Sequence, residues 1–208
     1  MSESRFRRYT KLPFLLDMLH GNRLALRNPV TWEDKNDAYF LEAYKKKRDL
    51  KTLLALCFAE APETYLHWKI YSGDESGICI EFYKDRLLAK VNNEAGFRTS
   101  KVIYRTIEHL QKKPPKVYTL PFLKRYAYRG EEEFRFIYES HEKINSIKYI
   151  TIDPEDVKII VVSPWVNKTI FDSIESTIQT IKGWEQVSMR KSTITENEDW
   201  KRIADNAV

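Results

Sequence analysis

Two glutamates and an arginine alternate along one short stretch of the chain, at Glu131, Glu133 and Arg135. Because side chains alternate along a β-strand, an extended segment here places these three on one face and Phe134 and Phe136 on the other. We expect the aromatic face to be buried in the core. The charged face can orient a ligand or stabilise a positive charge that develops during a reaction. The competing interpretation is an exposed strand face whose charges pair in water.

A second candidate site residue is Arg8, which lies near the start of the chain in Arg7-Arg8-Tyr9-Thr10. On a strand, Arg8 and Thr10 share one face and Tyr9 lies on the other. An arginine on a strand can hold a phosphate or a carboxylate through two parallel hydrogen bonds. A basic strand at the edge of a sheet, which resists aggregation, explains the same residues, so both interpretations stand.

An aromatic pair lies further along the chain, where Trp68 and Tyr71 are three residues apart on a predicted helix. Residues with this spacing share one side of a helix, so the two rings could hold a flat ring between them. Ordinary core packing is the competing explanation. Glu81 lies inside an apolar strand pattern, Gly77–Tyr83, and needs a partner if it is buried.

Several common catalytic motifs are missing from the sequence. Neither a GxSxG motif nor a Walker loop is present, and the four histidines are scattered without the spacing of metal ligands. We therefore expect no bound metal. The formal net charge is +5 over 208 residues. The densest basic run, Lys45–Arg48, is either the solvated end of a helix or a patch that contacts phosphates.

The elements that must carry these residues follow from hydrophobic periodicity. Strands are predicted at Phe6–Tyr9, Arg23–Leu26, Thr52–Ala59, Gly77–Tyr83, Phe97–Tyr104, Glu131–Tyr138, Tyr149–Ile152, Val157–Val162 and Glu185–Arg190. Helices are predicted at Leu12–His20, Ala38–Arg48, Glu63–Tyr71, Tyr83–Val91, Leu120–Tyr128 and Lys168–Ile181. Strands outnumber helices and do not alternate with them as regular βαβ units, so the pattern favours an α+β fold. We expect one domain over residues 1–208, with a tail at 196–208.

The two cysteines, Cys57 and Cys79, each lie inside an apolar run and lack CxxC spacing. This pattern predicts buried free thiols on neighbouring strands and favours a reducing compartment. The polar, basic segment Met1–Arg8 does not resemble a signal peptide, and no apolar stretch reaches the ~20 residues of a membrane span. We therefore expect a cytoplasmic protein with no membrane partner.

Four groups of residues occur in an order that resembles the bacterial domain of unknown function 2971 family. They lie within Phe6–Val162 and are, in order, Arg8-Tyr9-Thr10; Asn28-Pro29-Val30-Thr31-Trp32-Glu33-Asp34; Cys57-Phe58-Ala59-Glu60 with Trp68, Tyr71, Gly77 and Cys79-Ile80-Glu81-Phe82; and Tyr128 with Glu131, Glu133, Phe134 and Arg135. Two features depart from the family's pattern. Residues 33–37 replace its Asn-Asp-Pro-Phe turn, and Phe134 stands where Trp is usual.

A weaker resemblance connects the same residues to the ADP-ribosyltransferases. The first strand of those enzymes, with its basic residue and Tyr-Thr, is similar to Arg8–Thr10. Their middle aromatic element is similar to Trp68–Tyr71, and their late Glu-x-Glu to Glu131–Glu133. The resemblance implies a mixed, mainly antiparallel split β-sheet with flanking helices, and it implies NAD as the cofactor.

The resemblance also implies roles for single residues. Glu133 and Arg8 are the implied catalytic residues: Arg8 holds NAD, and Glu133 stabilises the cation that forms as nicotinamide leaves. Tyr71 is implied to stack on nicotinamide and Glu131 to orient the acceptor. The remaining implied cofactor contacts are Tyr9, Thr10, Trp68 and Arg135, although Arg135 could instead make an inert ion pair with Glu133.

These observations lead to three functional hypotheses. The first is an NAD-dependent ADP-ribosyltransferase or NAD-cleaving protein of a bacterial stress or phage-defence system, with NAD or another nucleotide-like small molecule as its partner. The second is a non-catalytic module that binds nucleic acid or protein through Lys45–Arg48. The third is a metal-dependent nuclease whose metal ligands would be the carboxylates of Glu81, Glu131 and Glu133. No lysine lies at a recognisable nuclease spacing from these residues, which makes this hypothesis the weakest of the three.

Overall fold

The fold is built around a nine-stranded β-sheet with helices packed beside it. The computed structural model describes residues 4–92, 94–144 and 146–207. The strands, in chain order, are β1 (Arg5–Lys11), β2 (Arg23–Arg27), β3 (Thr52–Ala59), β4 (Gly77–Tyr83), β5 (Phe97–Lys101), β6 (Ile103–Arg105), β7 (Leu123–Arg125), β8 (Glu133–Ser140), β9 (Ile147–Thr151), β10 (Val157–Val162) and β11 (Met189–Lys191). β6 and β7 form a separate two-stranded parallel sheet, hereafter the small sheet.

Helices lie between many of these strands. They are α1 (Leu12–Gly21), α2 (Lys35–Lys47), α3 (Tyr65–Tyr71), α4 (Lys84–Val91), α5 (Ile107–Lys112), α6 (Lys168–Gln179) and α7 (Glu198–Asp205). Short 3₁₀ turns occupy Pro29–Thr31, Val117–Phe122, Tyr126–Glu131 and Pro154–Asp156. Within the described residues, no helix has both the length and the apolar character needed to cross a membrane.

The large sheet is split beside β3. Its order is β11-β10-β4-β1-β3-β2-β9, and β8 pairs with both β3 and β5. One edge of β3 pairs antiparallel with β8 along its whole length. At the other edge, β1 meets β3 only at the pair Arg7–Ala59 and β2 only at Arg27–Ala55. The strands β1 and β2 therefore diverge from β3, which confirms the predicted α+β fold with a mainly antiparallel, split sheet.

Aromatic rings from three strands fill the core beneath the split. Phe6 on β1 is fully buried, and its ring centroid lies 5.0 Å from that of Phe58 and 4.7 Å from that of Phe134. Phe136 is also fully buried in this cluster. The aromatic face of β8 is thus a core face, as the alternation of residues predicted, and it fixes the direction of the opposite, charged face.

Several element boundaries agree with the sequence patterns. β3, β4 and β10 have the predicted limits. Asn167 caps α6 as expected, since its side chain accepts a hydrogen bond of 2.9 Å from the backbone N–H of Ile170.

Other boundaries differ because of tertiary pairing. The strand predicted from Glu131 begins only at Glu133. The residue between them, Glu132, has φ of +44° and follows a 3₁₀ turn, so it cannot extend the strand. The strand predicted at Phe97–Tyr104 breaks at the buried residue Val102 into β5 and β6. The helix predicted at Leu120–Tyr128 is wrong, because its centre pairs with β6 as strand β7.

The two cysteines are free, as predicted, but they do not lie on neighbouring strands. Cys57 is on β3 and Cys79 is on β4, and β1 lies between these two strands in the sheet. The apolar runs identified both strands correctly, but they carry no information about which strand is inserted between them.

The aromatic cluster around Phe6 predicts a sharp difference between two like substitutions. Phe6→Ala should lower the free energy of unfolding by about 3–5 kcal/mol, because a fully buried ring leaves a cavity. Phe14→Ala is the matched control, since that ring is 50% exposed, and it should cost less than about 1 kcal/mol. Urea unfolding of both variants makes the comparison, and equal losses would contradict this description of the core.

Candidate functional site

A cavity of about 680 Å³ lies beside the split, where β1 and β3 separate. Its wall also includes residues from the segment before α2, from α3, from β7 and from the turn that precedes β8. The lining residues are Arg7, Arg8, Tyr9, Trp32, Glu33, Asp34, Asp37, Cys57, Phe58, Ala59, Ile70, Tyr71, Lys124, Tyr128, Glu131 and Glu133. Segments that are distant in the sequence therefore converge on one hollow.

Arg8 occupies the split itself. Its Nη1 donates a hydrogen bond of 3.3 Å to the backbone carbonyl of Cys57. Cys57 lies midway between Ala55 and Ala59, where the edge of β3 has neither β1 nor β2 as a ladder partner. Among the described residues, no carboxylate forms an ion pair with Arg8. Burial lowers the pKa of Arg8 to about 10, so it remains a cation at neutral pH and faces the cavity without a counter-ion.

A fully buried arginine anchors the opposite wall. Arg135 donates through Nη1 and Nη2 to the two carboxylate oxygens of Asp37, at 3.0 and 2.7 Å. Its Nε donates to Oε1 of Glu133 at 2.7 Å, and Nη1 also reaches the carbonyl of Pro121 at 2.7 Å. Asp37 is in the first turn of α2, where the side chain of Asp34 accepts from its backbone N–H at 3.3 Å. The helix start therefore aims a carboxylate at the arginine.

Lys124 on β7 connects the carboxylates of this wall. Its Nζ lies 2.6 Å from Oε2 of Glu131, 3.1 Å from Oε2 of Glu133 and 3.7 Å from Oδ2 of Asp37. Burial acts to lower the pKa of Lys124, but the negative charges of Glu133 and Glu131 outweigh it, and the pKa is raised. Lys124 is therefore a firmly held cation.

The two glutamates have different electrostatic environments. Burial acts to raise the pKa of Glu133, but Arg135 and Lys124 outweigh this effect and lower it. Burial raises the pKa of Glu131, and the nearby Lys124 only partly offsets that rise. Glu133 is consequently the ionised carboxylate of the pair, and Glu131 is the one that accepts a proton more readily.

Tyr9 and Tyr71 line a third wall of the cavity, and the buried ring of His67, which does not line it, stacks on both. The ring of Tyr9 lies 5.2 Å from that of His67 at an angle of 23°, and His67 lies 6.1 Å from Tyr71 at 26°. The hydroxyl of Tyr71 donates a hydrogen bond of 2.5 Å to Oε1 of Glu131. The ring of Trp32 covers the buried guanidinium of Arg135 at 5.0 Å. An aromatic surface therefore adjoins the carboxylates directly.

Five of the predicted site residues line the cavity: Arg8, Tyr9, Tyr71, Glu131 and Glu133. Arg8 and Tyr9 were expected on opposite faces of a strand, yet both reach the cavity because it runs past the free edge of β1. Thr10, Trp68 and Arg135 do not line it, and Arg135 acts from behind as the partner of Glu133.

Trp68 differs most from its predicted place. The side chain is fully buried, packs with Cys79 and Val161, and donates through Nε1 to Glu63 at 2.8 Å. Core packing, the competing explanation in the sequence, is therefore the correct one for this ring. Tyr71, which shares its helix, points instead to the cavity and is 40% exposed.

The three carboxylates of the nuclease hypothesis do not come together. Glu81 is buried on β4, opposite Arg7 on β1, and it pairs with Arg5 at 2.8 Å and with Arg7 at 3.0 Å. Glu81 is absent from the cavity wall formed by Glu131 and Glu133. In the described part of the chain, no group of three or more His, Cys, Asp or Glu side chains is arranged to hold a metal ion.

Sequence patterns missed Lys124 and Asp37, which both line the cavity. Lys124 lay in the segment predicted as a helix at Leu120–Tyr128, and Asp37 lay just before the helix predicted at Ala38–Arg48. One feature of the sequence did indicate a partner of this kind. Arg135 lies within a predicted strand, and an arginine that is buried there needs a carboxylate to pair with. The pattern could not identify Asp37 as that partner, because the two residues lie on different elements.

The ionisation of Glu133 predicts a pH-dependent difference in stability. Because its folded pKa is lowered, ionised Glu133 contributes stability that is fully present above the unfolded pKa of about 4.5 and is lost as the pH falls toward the folded value. Wild type should exceed Glu133→Gln in free energy of unfolding at pH 7, and the gap should narrow steadily below about pH 4.5. Denaturant titrations across this range measure it, and a gap that widens on acidification would refute the assigned direction.

In fold, the chain is similar to solved structures of DarT from Thermus sp. 2.9. The complex with ADP-ribosylated ssDNA is 12% identical with a TM-score of 0.49, and the match covers 96% of this chain and 97% of that chain. The complex with NAD+ is 10% identical with a TM-score of 0.48, and the match covers 96% of this chain and 98% of that chain. The complex with carba-NAD+ is 12% identical with a TM-score of 0.47, and the match covers 96% of this chain and 98% of that chain. No curated protein sequence matches the chain.

A family model matches the centre of the chain. The match covers residues 67–136 and carries the description "Protein of unknown function (DUF2971)". This segment contains Tyr71, Lys124, Glu131 and Glu133, whereas Arg8 lies outside it. The match confirms the resemblance seen in the ordered motifs: over residues 67–136, which supply most of the charged wall of the cavity, the chain matches the DUF2971 family.

Proposed function

We propose that the cavity binds NAD and that the protein transfers the ADP-ribose group of NAD to an acceptor or to water. The observation that carries this proposal is that Arg8 and Glu133, which are far apart in the sequence, line the same cavity. A guanidinium without a counter-ion and an ionised carboxylate then border one hollow. These are the groups needed to hold a diphosphate and to stabilise a positively charged sugar.

The residues present fit NAD in size and in chemistry. A cavity of about 680 Å³ is within the ~300–1,000 Å³ range of small-molecule sites. Arg8 would hold the diphosphate, because its charge is not neutralised by the protein. Tyr71 is the stacking candidate for nicotinamide, and Tyr9 extends the same aromatic wall. Trp68 has no part in this binding, since it is buried in the core.

The charge of the carboxylate wall supports the chemistry. When NAD reacts in this class of transfer, the bond between the ribose carbon and nicotinamide breaks, nicotinamide keeps the electron pair, and the acceptor forms the new bond and loses a proton. Asp37, Glu131 and Glu133 carry three negative charges when ionised, against two positive charges on Lys124 and Arg135. The cluster can therefore accept one developing positive charge.

The ion pair between Arg135 and Glu133 does not make the glutamate inert. Each carboxylate offers about four acceptor positions, and Arg135 and Lys124 each approach a different oxygen of Glu133. They hold the group ionised and immobile, which is what electrostatic stabilisation requires. Glu131 accepts protons more readily, and we assign it to orient the acceptor and take up its proton.

This proposal predicts separate effects for its two named residues. Glu133→Gln should lower kcat for nicotinamide release from NAD on the order of a hundredfold, while Arg8→Gln should raise KM about tenfold, because it removes a charged hydrogen-bond donor. Chromatography of NAD and nicotinamide after incubation measures both. Glu132→Gln is the matched control, since that side chain is exposed and should leave turnover unchanged.

Two results would count against the proposal. One is intact NAD after prolonged incubation of the folded wild type with a broad set of acceptors. The other is equal turnover by Glu133→Gln and the control.

We also propose that the acceptor is a single-stranded nucleic acid. Arg105 and Arg125 are adjacent across the small sheet, both are exposed, and neither forms an ion pair among the described residues. Like charges side by side destabilise a sheet, and a phosphate between them would relieve that cost. Both also line a second cavity of about 160 Å³, which shares Asp34, Asp37 and Lys124 with the first.

One exposed aromatic ring, that of Tyr126, lies among these cations. Tyr126 follows Arg125 directly and is 48% exposed, and the guanidinium of Arg129 lies 4.5 Å from the centre of its ring. Cations beside an exposed ring suit a single strand, whose phosphates pair with the cations while a base stacks on the ring. The strip formed by Arg105, Arg125, Tyr126 and Arg129 therefore supports a path for the acceptor toward the carboxylates.

The alternative of a non-catalytic binding module relies on Lys45–Arg48. These residues end α2, whose other end carries Asp37 in the cavity. A helix of 13 residues is about 20 Å long, so the basic run is remote from the cavity. Cations at the C-terminal end of a helix are also favoured by its dipole, which explains them without a ligand.

One binding experiment separates these two surfaces. Fluorescence anisotropy with a labelled single-stranded oligonucleotide, without NAD, should show tighter binding by wild type than by Arg105→Gln/Arg125→Gln. The slope of log affinity against log salt should fall by about 1.4 in the double variant, since each phosphate contact to a single strand contributes about 0.7. Lys46→Gln/Lys47→Gln is the matched control. If the control loses more affinity than the arginine variant, the binding-module hypothesis is favoured instead.

A further inference from the structure

The small sheet and the residue that leads into it hold Glu133 at three points. Val102, immediately before β6, donates its backbone N–H to the carbonyl of Glu133 at 2.8 Å. The hydroxyl oxygen of Tyr104 accepts from the backbone N–H of Glu133 at 2.8 Å. Lys124 binds the side chain at 3.1 Å. The first residue of β8 is thus fixed in main chain and side chain by a sheet that is separate from the one to which β8 belongs.

Tyr104 and Lys124 act from adjacent positions, since they are cross-strand partners in the small sheet. Lys124 also binds Glu131, so a single ammonium nitrogen lies within 3.1 Å of an oxygen from each glutamate. This contact sets the separation of the two carboxylates. The side chain of Lys124 is only 10% exposed, which leaves it little freedom to adopt another conformation.

Three carboxylates and one aromatic ring surround the ammonium group of Lys124. Asp37 lies 3.7 Å away, Glu131 and Glu133 are in contact, and the ring of Tyr128 is 4.9 Å from its nitrogen. The other groups that approach these carboxylates are Arg135 on β8, Tyr71 on α3 and Cys57 on β3. Tyr104 on β6 approaches the backbone of Glu133. Without Lys124, Arg135 would still pair with Asp37 and Glu133, but Glu131 would lose its cation, and closely spaced carboxylates cannot all stay ionised.

We propose that Lys124, supported by Tyr104, is the positioning residue of this site: it fixes the Glu133 carboxylate at the cavity wall and keeps it ionised beside Glu131. This inference depends on the proposed NAD chemistry for its catalytic consequence. Lys124 acts through Glu133 rather than on the reacting atoms. The small sheet therefore holds one carboxylate of the buried ion-pair network, that of Glu133, in an ionised state at the cavity wall.

The kinetic test compares three substitutions in the full-length protein. Lys124→Met should lower kcat for nicotinamide release at least about tenfold with KM little changed, and should move the acidic limb of the pH–rate profile upward by about one pH unit. Lys124→Arg keeps the positive charge and should return the acidic limb of the pH–rate profile to its wild-type position. Tyr104→Phe should lower kcat about three- to tenfold through loss of one hydrogen bond. Lys112→Met, at an exposed lysine on α5, is the control.

A second readout does not depend on turnover. Carbon-13 NMR of the glutamate carboxyl groups should show the titration midpoints of Glu131 and Glu133 moving upward in Lys124→Met and returning in Lys124→Arg. Unchanged midpoints in a folded Lys124→Met protein would overturn the inference, as would an unshifted pH–rate profile. Shifted midpoints in a protein that never cleaves NAD would instead refute the proposed function and leave the control of ionisation by Lys124 established.

Discussion

The guanidinium of Arg135 is completely buried, and its N–H groups need acceptors that only the surrounding chain can provide. Asp37 meets this need from the start of α2, Pro121 from the turn before β7, and Glu133 from the same strand. Three otherwise unrelated segments are thereby drawn to one point. The wall of the cavity is the consequence, because Lys124 follows closely after Pro121 and is placed against the glutamates by the same arrangement.

The split of the sheet contributes the other half of the site. Where β1 and β2 leave β3, the carbonyl of Cys57 lacks a ladder partner, and Arg8 fills the gap. A cation without a counter-ion therefore faces a wall that carries one negative charge in excess when its three carboxylates are ionised. Such a separation of charge across a hollow costs stability in the empty protein, and a ligand with an anionic group and a developing positive charge would compensate it at both ends.

The sequence was informative where a residue's role depends on its own strand. Alternation predicted the buried aromatic face of β8, and it brought attention to Glu133 and Arg8, which do reach a common cavity. It was uninformative where a role depends on contacts between elements. Trp68 and Tyr71 share a helical spacing, yet one lies in the core and the other in the cavity. Lys124 sits on a three-residue strand that exists only because β6 pairs with it, and no local pattern encodes that pairing.

A crystal structure with a non-cleavable NAD analogue tests the central claim most directly, since it asks where the ligand lies rather than whether it reacts. The account predicts the diphosphate against Arg8, the nicotinamide ring on Tyr71 and the ribose that joins them facing Glu133. An analogue bound elsewhere on the surface would contradict the account, as would a cavity that stays empty at saturating analogue concentration.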